Sequence, residues 1–491
     1  MFEASRDSLA THGLPAWYDD AKLGVLLHWG PYSVPGWAPQ VEDIQKLLRS
    51  RGPRVMLREN PYAEWYLNSM QIRGSPTWRH HRETYGADFP YDNFAITFDD
   101  ESSAADLDGL SRICREAGAR YVVLTTKHHD GYALWPSALD HPVKGRYHTR
   151  RDLVGELAAS VRAAGMRMGL YYSGGYDWPF NGVVLSSAAD AVLAVPHGDA
   201  YRRYASGQLR ELIDRYRPSV LWNDIGWPSG GNLAELFAHY YNTVDDGLVN
   251  DRWMESALPR NRFVDGVVRG TGAVIEWLWP VLPEKRKTLT FPAAHHYDFT
   301  TPEYTRFDDI VTKKWEATRG IGHSFGANRN ERPEDIVNAT DLIRSFVDIV
   351  SKNGNLLIGI GPRPDGTVPQ EQQVPLRGLG EWMSVNGEAI IGSRPWDMAQ
   401  STTSEGTPVR FTQRQGVVYA SLLGLPGSGT FSFPGIDGGL VTDVRLLGLD
   451  HDLVSGTSDR GLTVTLPERV PVSAVHVLHL GTGARPARAA R

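Results

Sequence analysis

Five apolar runs in the first 260 residues end in side chains able to do chemistry. LGVLLHWG (Leu23–Gly30) carries His28, and YVVLTTKHHDG carries His128 and His129. MRMGLYYS ends in Tyr171, Tyr172 and Ser173, SVLWND in Asp224, and GLVNDRW carries Asp251 and Arg252. Acids, histidines and an arginine at such ends suit cleavage of a glycosidic bond, which needs two carboxylates flanking the scissile atom. Asp224 is the best nucleophile candidate, because it ends a short apolar strand just before Gly226 and Trp227. The same spacing also suits an Asp that caps the next helix. Four glutamates compete as its partner: Glu64, Glu276, Glu303 and Glu316. Glu303 lies in the polar, aromatic, loop-like stretch YDFTTPEY. A divalent site from His28, His128, His129 and Asp224 is the rival chemistry. The first strand lacks a His-x-His pair, and adjacent His128 and His129 would point to opposite faces of a continuing strand. No metal and no cofactor are therefore expected. The pairs His80-His81 and His295-His296 read as loop residues.

Something must bring those ends together. Near-continuous apolar strands alternate with helical patterns through about the first 390 residues, the signature of a parallel sheet covered by helices. Helices are read over Ala105–Ala117, from the cap Asp152 to Gly165, over Asp199–Tyr216 and over Asp335–Lys352. The repetition favours a (β/α)8-like TIM barrel over an open sheet, and no GxGxxG follows the first strand. In such a barrel all C-terminal strand ends share one rim, where the active site sits. After Trp396 the pattern becomes short alternating runs (VRFTQ, GVVYASLL, TFSFP, VRLLGL, LTVTL, AVHVLHL), which read as an antiparallel β-sandwich. The expected organisation is a catalytic barrel over 1–392, a sandwich over 393–482 with a packing role, and a basic, disordered tail over 483–491.

Composition narrows the partners. Lys and Arg number 51 against 57 Asp and Glu, for a net charge of −6, which argues against nucleic acid as the main partner. No apolar run approaches a membrane span. The single cysteine, Cys114, excludes an intramolecular disulfide and reads as a packed thiol. The opening MFEASRDSLATHGLP lacks an apolar signal core, so the expected compartment is the cytoplasm. All 15 tryptophans lie at or before Trp396; a large core accounts for some, and a cleft that stacks sugar faces would account for the rest.

The motifs LLHWGPYSVPGW, AEWY, LTTKHHDGYALW, RDLVGEL, GLYYSGGYDW, LWND, NDRW, TPEY, KKWEATRGIGHSFGANRNE and SKNGNLLIGIGP occur in this order. They resemble the α-L-fucosidase family of glycoside hydrolases. The resemblance implies a barrel followed by a β-sandwich, and a metal-free, retaining exo-α-L-fucosidase acting on fucosylated oligosaccharides or glycoconjugates. It makes Asp224 the nucleophile and the TPEY glutamate, Glu303, the acid/base. It also implies a fucose pocket of His28, Glu64, Trp65, His128, His129, Tyr171 and Arg252, with Phe325 beside the sugar methyl. Ala327 stands where the commoner family form has an aromatic. The rim loops Val41–Asn60, Trp178–His197 and Met254–Tyr297 are expected to set linkage, the last being unusually long between NDRW and TPEY. The competing readings are a glycosidase for a related α-L-sugar such as L-galactose, and a non-catalytic sugar-binding protein on the same scaffold.

Overall fold

The computed structural model describes residues 1–255, 261–288 and 294–482; the expected basic tail lies outside them. Seven parallel strands form one sheet: β1 (Leu23–Leu27), β2 (Tyr121–Lys127), β3 (Arg167–Ser173), β4 (Val220–Asp224), β5 (Leu248–Val249), β6 (Trp315–Gly320) and β7 (Gly354–Ile360). Their spatial order is β5-β4-β3-β2-β1-β7-β6. Buried on both faces, they must be apolar on both, which is why their sequences read as runs rather than alternations. Alternate residues nevertheless separate into two cores. Tyr121, Val123, Tyr171, Val220, Trp222 and Leu357 pack inside the curl. Val122, Leu124, Leu170, Leu221, Leu356 and Ile358 pack outward. Gly24 is required by this interior, since a Cβ there would lie 2.3 Å from the Tyr121 ring.

The outward core is covered by helices α1 (Leu107–Glu116), α2 (Leu153–Ala163), α3 (Asp199–Tyr216), α4 (Leu233–Thr243), α6 (Ala339–Ser351) and α7 (Gln370–Asn386), while α5 (Arg262–Leu278) packs on the rim-loop helix Ala188–Leu193. Asp106, Asp152 and Asn338 start α1, α2 and α6 by accepting a backbone N–H of the first turn.

The gap between β5 and β6 is filled without a regular strand. Asp298 N donates to Val249 O at 3.0 Å, and Glu316 N to Thr300 O at 2.8 Å. Parallel bridges join Thr300 to Trp315 and Glu303 to Thr318. Residues 298–303 thus take the eighth place of a TIM-like barrel and carry Glu303 onto its rim. Beneath the rim, the buried carboxylate of Glu316 accepts from Tyr18 Oη at 2.8 Å, Tyr121 Oη at 2.5 Å and Trp222 Nε1 at 3.0 Å.

The C-terminal strands are β8 (Arg394–Thr402), β9 (Pro408–Arg414), β10 (Val417–Leu422), β11 (Thr430–Phe433), β12 (Val441–Leu446), β13 (Val454–Ser458), β14 (Gly461–Thr465) and β15 (His476–Thr482). They form antiparallel sheets β12-β15-β10-β9-β8 and β11-β14-β13, whose inner residues Phe411, Val418 and Leu480, with Phe433 and Val464, share one core. Trp382 Nε1 of α7 donates to Val475 O at 2.9 Å and ties these sheets to the barrel helices.

Several local expectations change. His80 and His81 lie on the helix Pro76–Thr84 rather than in a loop, and His81 is buried, with Nε2 2.9 Å from Phe89 O. Two rim loops are largely helical, over Ile44–Arg51, Pro53–Arg58, Trp178–Asn181 and Ala188–Leu193. Most tryptophans serve the core: Trp29, Trp135, Trp227, Trp253 and Trp315 are fully buried, and among the described residues only Trp65 and Trp222 line the rim cavity.

Candidate active site

A cavity of about 1000 Å³ opens at the C-terminal ends of the barrel strands. His28, Glu64, Trp65, His128, His129, Tyr171, Asp224, Arg252, Glu303 and Phe325 all line it. Strand parity explains much of this. Trp222 points inward on β4, so Asp224, two residues on, leaves the strand on the same face. Ile225 follows with φ 66°, a left-handed backbone that a β-branched side chain rarely adopts. That turn sends Ile225 N–H back to Asp224 Oδ1 at 2.9 Å. The carboxylate therefore caps its own turn rather than a helix.

Arg252 is the hub. Its Nη1 donates to Asp224 Oδ1 at 2.9 Å, and its Nη2 lies 2.7 Å from Glu303 Oε1. Nε donates to Thr301 Oγ1 and Nη2 to Thr301 O, both at 2.9 Å. The guanidinium also lies over the Trp222 ring, 4.8 Å from its centroid. Thr301 is in turn fixed by Asp251, which accepts from Thr301 N at 3.0 Å and Oγ1 at 2.7 Å. One rigid fork thus holds two carboxylates that stand 79 residues apart in the chain.

Asp224 is 8% exposed. Burial pushes its carboxyl up, but the Arg252 charge and the hydrogen bonds from Tyr171 and Arg252 outweigh this and hold it below the usual carboxylate range. Tyr171 Oη donates to Oδ2 at 2.7 Å. Asp224 is thus ionised at neutral pH, as a nucleophile must be.

The strand β2 stops at Lys127, so His128 and His129 are not forced to opposite faces; their rings are 4.0 Å apart and both line the cavity. Burial drives the histidines neutral: His28 falls to about 3 and His129 to about 4, and His128, among its neighbouring rings, is also held well below the usual imidazole range. The tautomer of His129 follows from its neighbour. Ser173 Oγ donates its one proton to Tyr176 O at 2.7 Å. It must therefore accept from His129 Nδ1–H, 2.6 Å away. The bare Nε2 then lies 3.8 Å from Asp224 Oδ2, an acceptor for a sugar hydroxyl.

Glu64 is 2% exposed and pushed up to about 7 by burial, against hydrogen bonds from Gly326 N at 2.9 Å and Ser324 Oγ at 3.1 Å. A raised acid pKa means the folded state binds the proton more tightly than the unfolded chain. This stability is fully present below the usual 4.5 and is lost as pH rises to about 7. Glu64→Gln is thus expected to remove about 3 kcal/mol of pH dependence between those limits, read as the wild-type-minus-variant difference in denaturant unfolding. An unchanged pH slope would contradict it.

Phe325 forms the apolar wall, with ring centroids 5.1 Å from His28 and 5.5 Å from Tyr62. Ala327 is buried and does not line the cavity. The other glutamates are elsewhere: Glu316 lies beneath Trp222, and Glu276 pairs with Arg54 at 3.1 Å on α5. Trp222, Tyr62, Asp251 and Thr301 also line the cavity. Trp222 was readable from the sequence, two residues before Asp224 on one strand face. No group of three or more His, Cys, Asp or Glu side chains placed to hold a metal occurs among the described residues.

Comparison with known proteins agrees with this geometry. The family model described as alpha-L-fucosidase matches residues 1–271 and 284–388. An alpha-L-fucosidase of Dictyostelium discoideum is 31% identical over 94% of this chain and 87% of its own length. The crystal structure of Thermotoga maritima alpha-fucosidase in complex with a mechanism-based inhibitor superposes with TM-score 0.81, at 37% identity, over 98% of this chain and all of that one. The same enzyme in complex with fucose gives TM-score 0.80 at equal identity and coverage. Barrel, cavity and family match lead to one conclusion: this chain belongs to the alpha-L-fucosidase family of glycoside hydrolases.

Proposed function

We propose that the chain releases terminal α-L-fucose from fucosylated glycans with retention of configuration. Asp224 attacks the anomeric carbon while Glu303 protonates the leaving oxygen, forming a β-fucosyl ester; Glu303 then deprotonates the water that hydrolyses it. The observation that carries this reading is the Arg252 fork. In the first step Asp224 passes its negative charge to the ester, and Glu303, giving up its proton, acquires one. A single anion therefore faces Arg252 before and after each step, and only the partner changes. Low reorganisation of this kind is where fixed charges lower barriers. The likeness to a fucosidase solved with a mechanism-based inhibitor supports a covalent route.

Neutral histidines and Tyr171 would receive the sugar hydroxyls, and Phe325 with Tyr62 would face the 6-methyl. A hydroxymethyl there would place a hydroxyl against apolar rings. The test is turnover of an aryl α-L-fucoside followed by NMR, with an aryl α-L-galactoside beside it. α-L-Fucose as the first product and a higher kcat/KM on the fucoside are expected. Initial β-L-fucose, or preference for the galactoside, would overturn the reading.

Ser173 supplies a finer check. Ser173→Ala removes the group that fixes the His129 tautomer, so kcat/KM should fall about tenfold, the worth of one hydrogen bond in the transition state. Ser173→Thr keeps the hydroxyl and should restore most of it. Equal losses in both variants would mean a packing role.

A further inference from the structure

The helix α5 turns an apolar stripe to solvent. Phe263, Val267, Val274, Trp277 and, just past its end, Val281 are each between 53% and 79% exposed, whereas soluble surfaces normally scatter such residues singly. With Gly270 they follow one another at intervals of four, three, four, three and four residues. That is the narrow seam by which one helix packs against another, not a broad core-facing stripe.

Gly266 and Gly270 lie on the same face, and a Cβ added to either would meet nothing within 4 Å. Glycine disfavours a helix interior, and the packing of this chain explains only Gly272, whose Cβ would meet that of Ala189 at 2.8 Å. Two glycines four apart on an open face let a second helix backbone come close. The other side of α5 is fixed to the body. Arg269 pairs with Asp190 at 3.1 Å, and Glu276 pairs with Arg54 at 3.1 Å and accepts from Ala188 N at 2.8 Å. The seam therefore faces outward on an anchored helix.

We propose that this face is a homodimer interface, in which α5 of two copies cross about a two-fold axis at Gly266 and Gly270. A seam of one repeated pattern is complementary to itself, as a two-fold contact requires. The five apolar side chains expose on the order of 600 Å² per chain, so a pair would cover at most roughly 1,200 Å² through them, the lower edge of stable interfaces. Along the helix Arg262 and Arg269 are balanced by Asp265 and Glu276, and the cations Lys285, Arg286 and Lys287 come only after Val281, so the seam itself is not bordered by the cationic face that holds an amphipathic helix on a lipid surface.

The test is the mass of the full chain in solution, by sedimentation velocity and light scattering. Wild type at micromolar concentration should weigh twice the 54.5 kDa of one chain. Val267→Glu and Trp277→Glu should halve that mass and leave kcat/KM on an aryl fucoside within about twofold. Gly270→Ala favours the helix yet adds a Cβ at the crossing, so the dimer dissociation constant should rise at least about tenfold; it decides the matter if the Glu variants misfold. A single-chain mass for wild type, a doubled mass kept in both folded Glu variants, or an unchanged dissociation constant in Gly270→Ala would overturn the proposal. So would flotation of a monomeric wild type with phosphatidylcholine or phosphatidylserine vesicles.

Discussion

Asp224→Ala should lower turnover of an aryl α-L-fucoside by about 10⁴-fold or more, because the bond that carries the sugar between the two steps can no longer form. The fold should survive. Arg252 keeps Thr301 and Glu303 as partners, so the main orphan is Tyr171 Oη, at a cost of about 1–3 kcal/mol. Adding azide separates a lost nucleophile from a disturbed pocket. Azide is small enough to enter the space left by the carboxylate and attack from the same side. It should restore turnover and yield a fucosyl azide of inverted, β configuration. Wild-type rates in Asp224→Ala, or an azide product of retained configuration, would remove Asp224 from the role.

The site was legible where regular structure fixed the direction of side chains. Asp224 and Tyr171 lie near the ends of β4 and β3, and Arg252 follows three residues past β5; parallel strands deliver their ends to one rim whatever the loops do. Glu303 was not legible that way. Its segment closes the barrel through isolated bridges to Trp315 and Thr318, so it has no period to read, and only resemblance separated it from Glu316. Those two glutamates differ not in type but in depth. Glu316 is on β6, held by three donors in the floor, while Glu303 stands at the rim in the Arg252 fork. The tryptophans could not be sorted by sequence, because large aromatics fill the space between strands and helices as readily as they line clefts, and both uses occur: Trp315 in the core, Trp65 and Trp222 at the cavity. The adjacent histidines misled because the argument carried the strand two residues past Lys127, where β2 ends. The helix α5 was hidden in a stretch read only as a long insertion, although its four-three spacing was there in Phe263, Val267, Gly270, Val274 and Trp277.

Glu303→Ala should separate substrates by the quality of their leaving group. A poor leaving group, such as the sugar hydroxyl of an oligosaccharide, must be protonated as it departs, and kcat/KM for it should fall by about 10²–10⁴-fold. A good phenolate leaves without a proton, so kcat/KM for its fucoside should fall about tenfold or less, the first irreversible step being spared. Its kcat should fall further, because the second step still needs a base to activate water, and the fucosyl ester should accumulate as a burst. Azide needs no base and should attack that ester from the face water uses, giving the azide of retained, α configuration, opposite to the product from Asp224→Ala. Losing Glu303 also leaves Asp224 as the one carboxylate of the fork on Arg252, which tightens that pair and weakens the nucleophile slightly on every substrate. That common loss cannot produce a leaving-group dependence. Equal falls in kcat/KM on both substrates would therefore reduce Glu303 to a charge partner of Arg252 and send the search for the acid back to the rest of the rim.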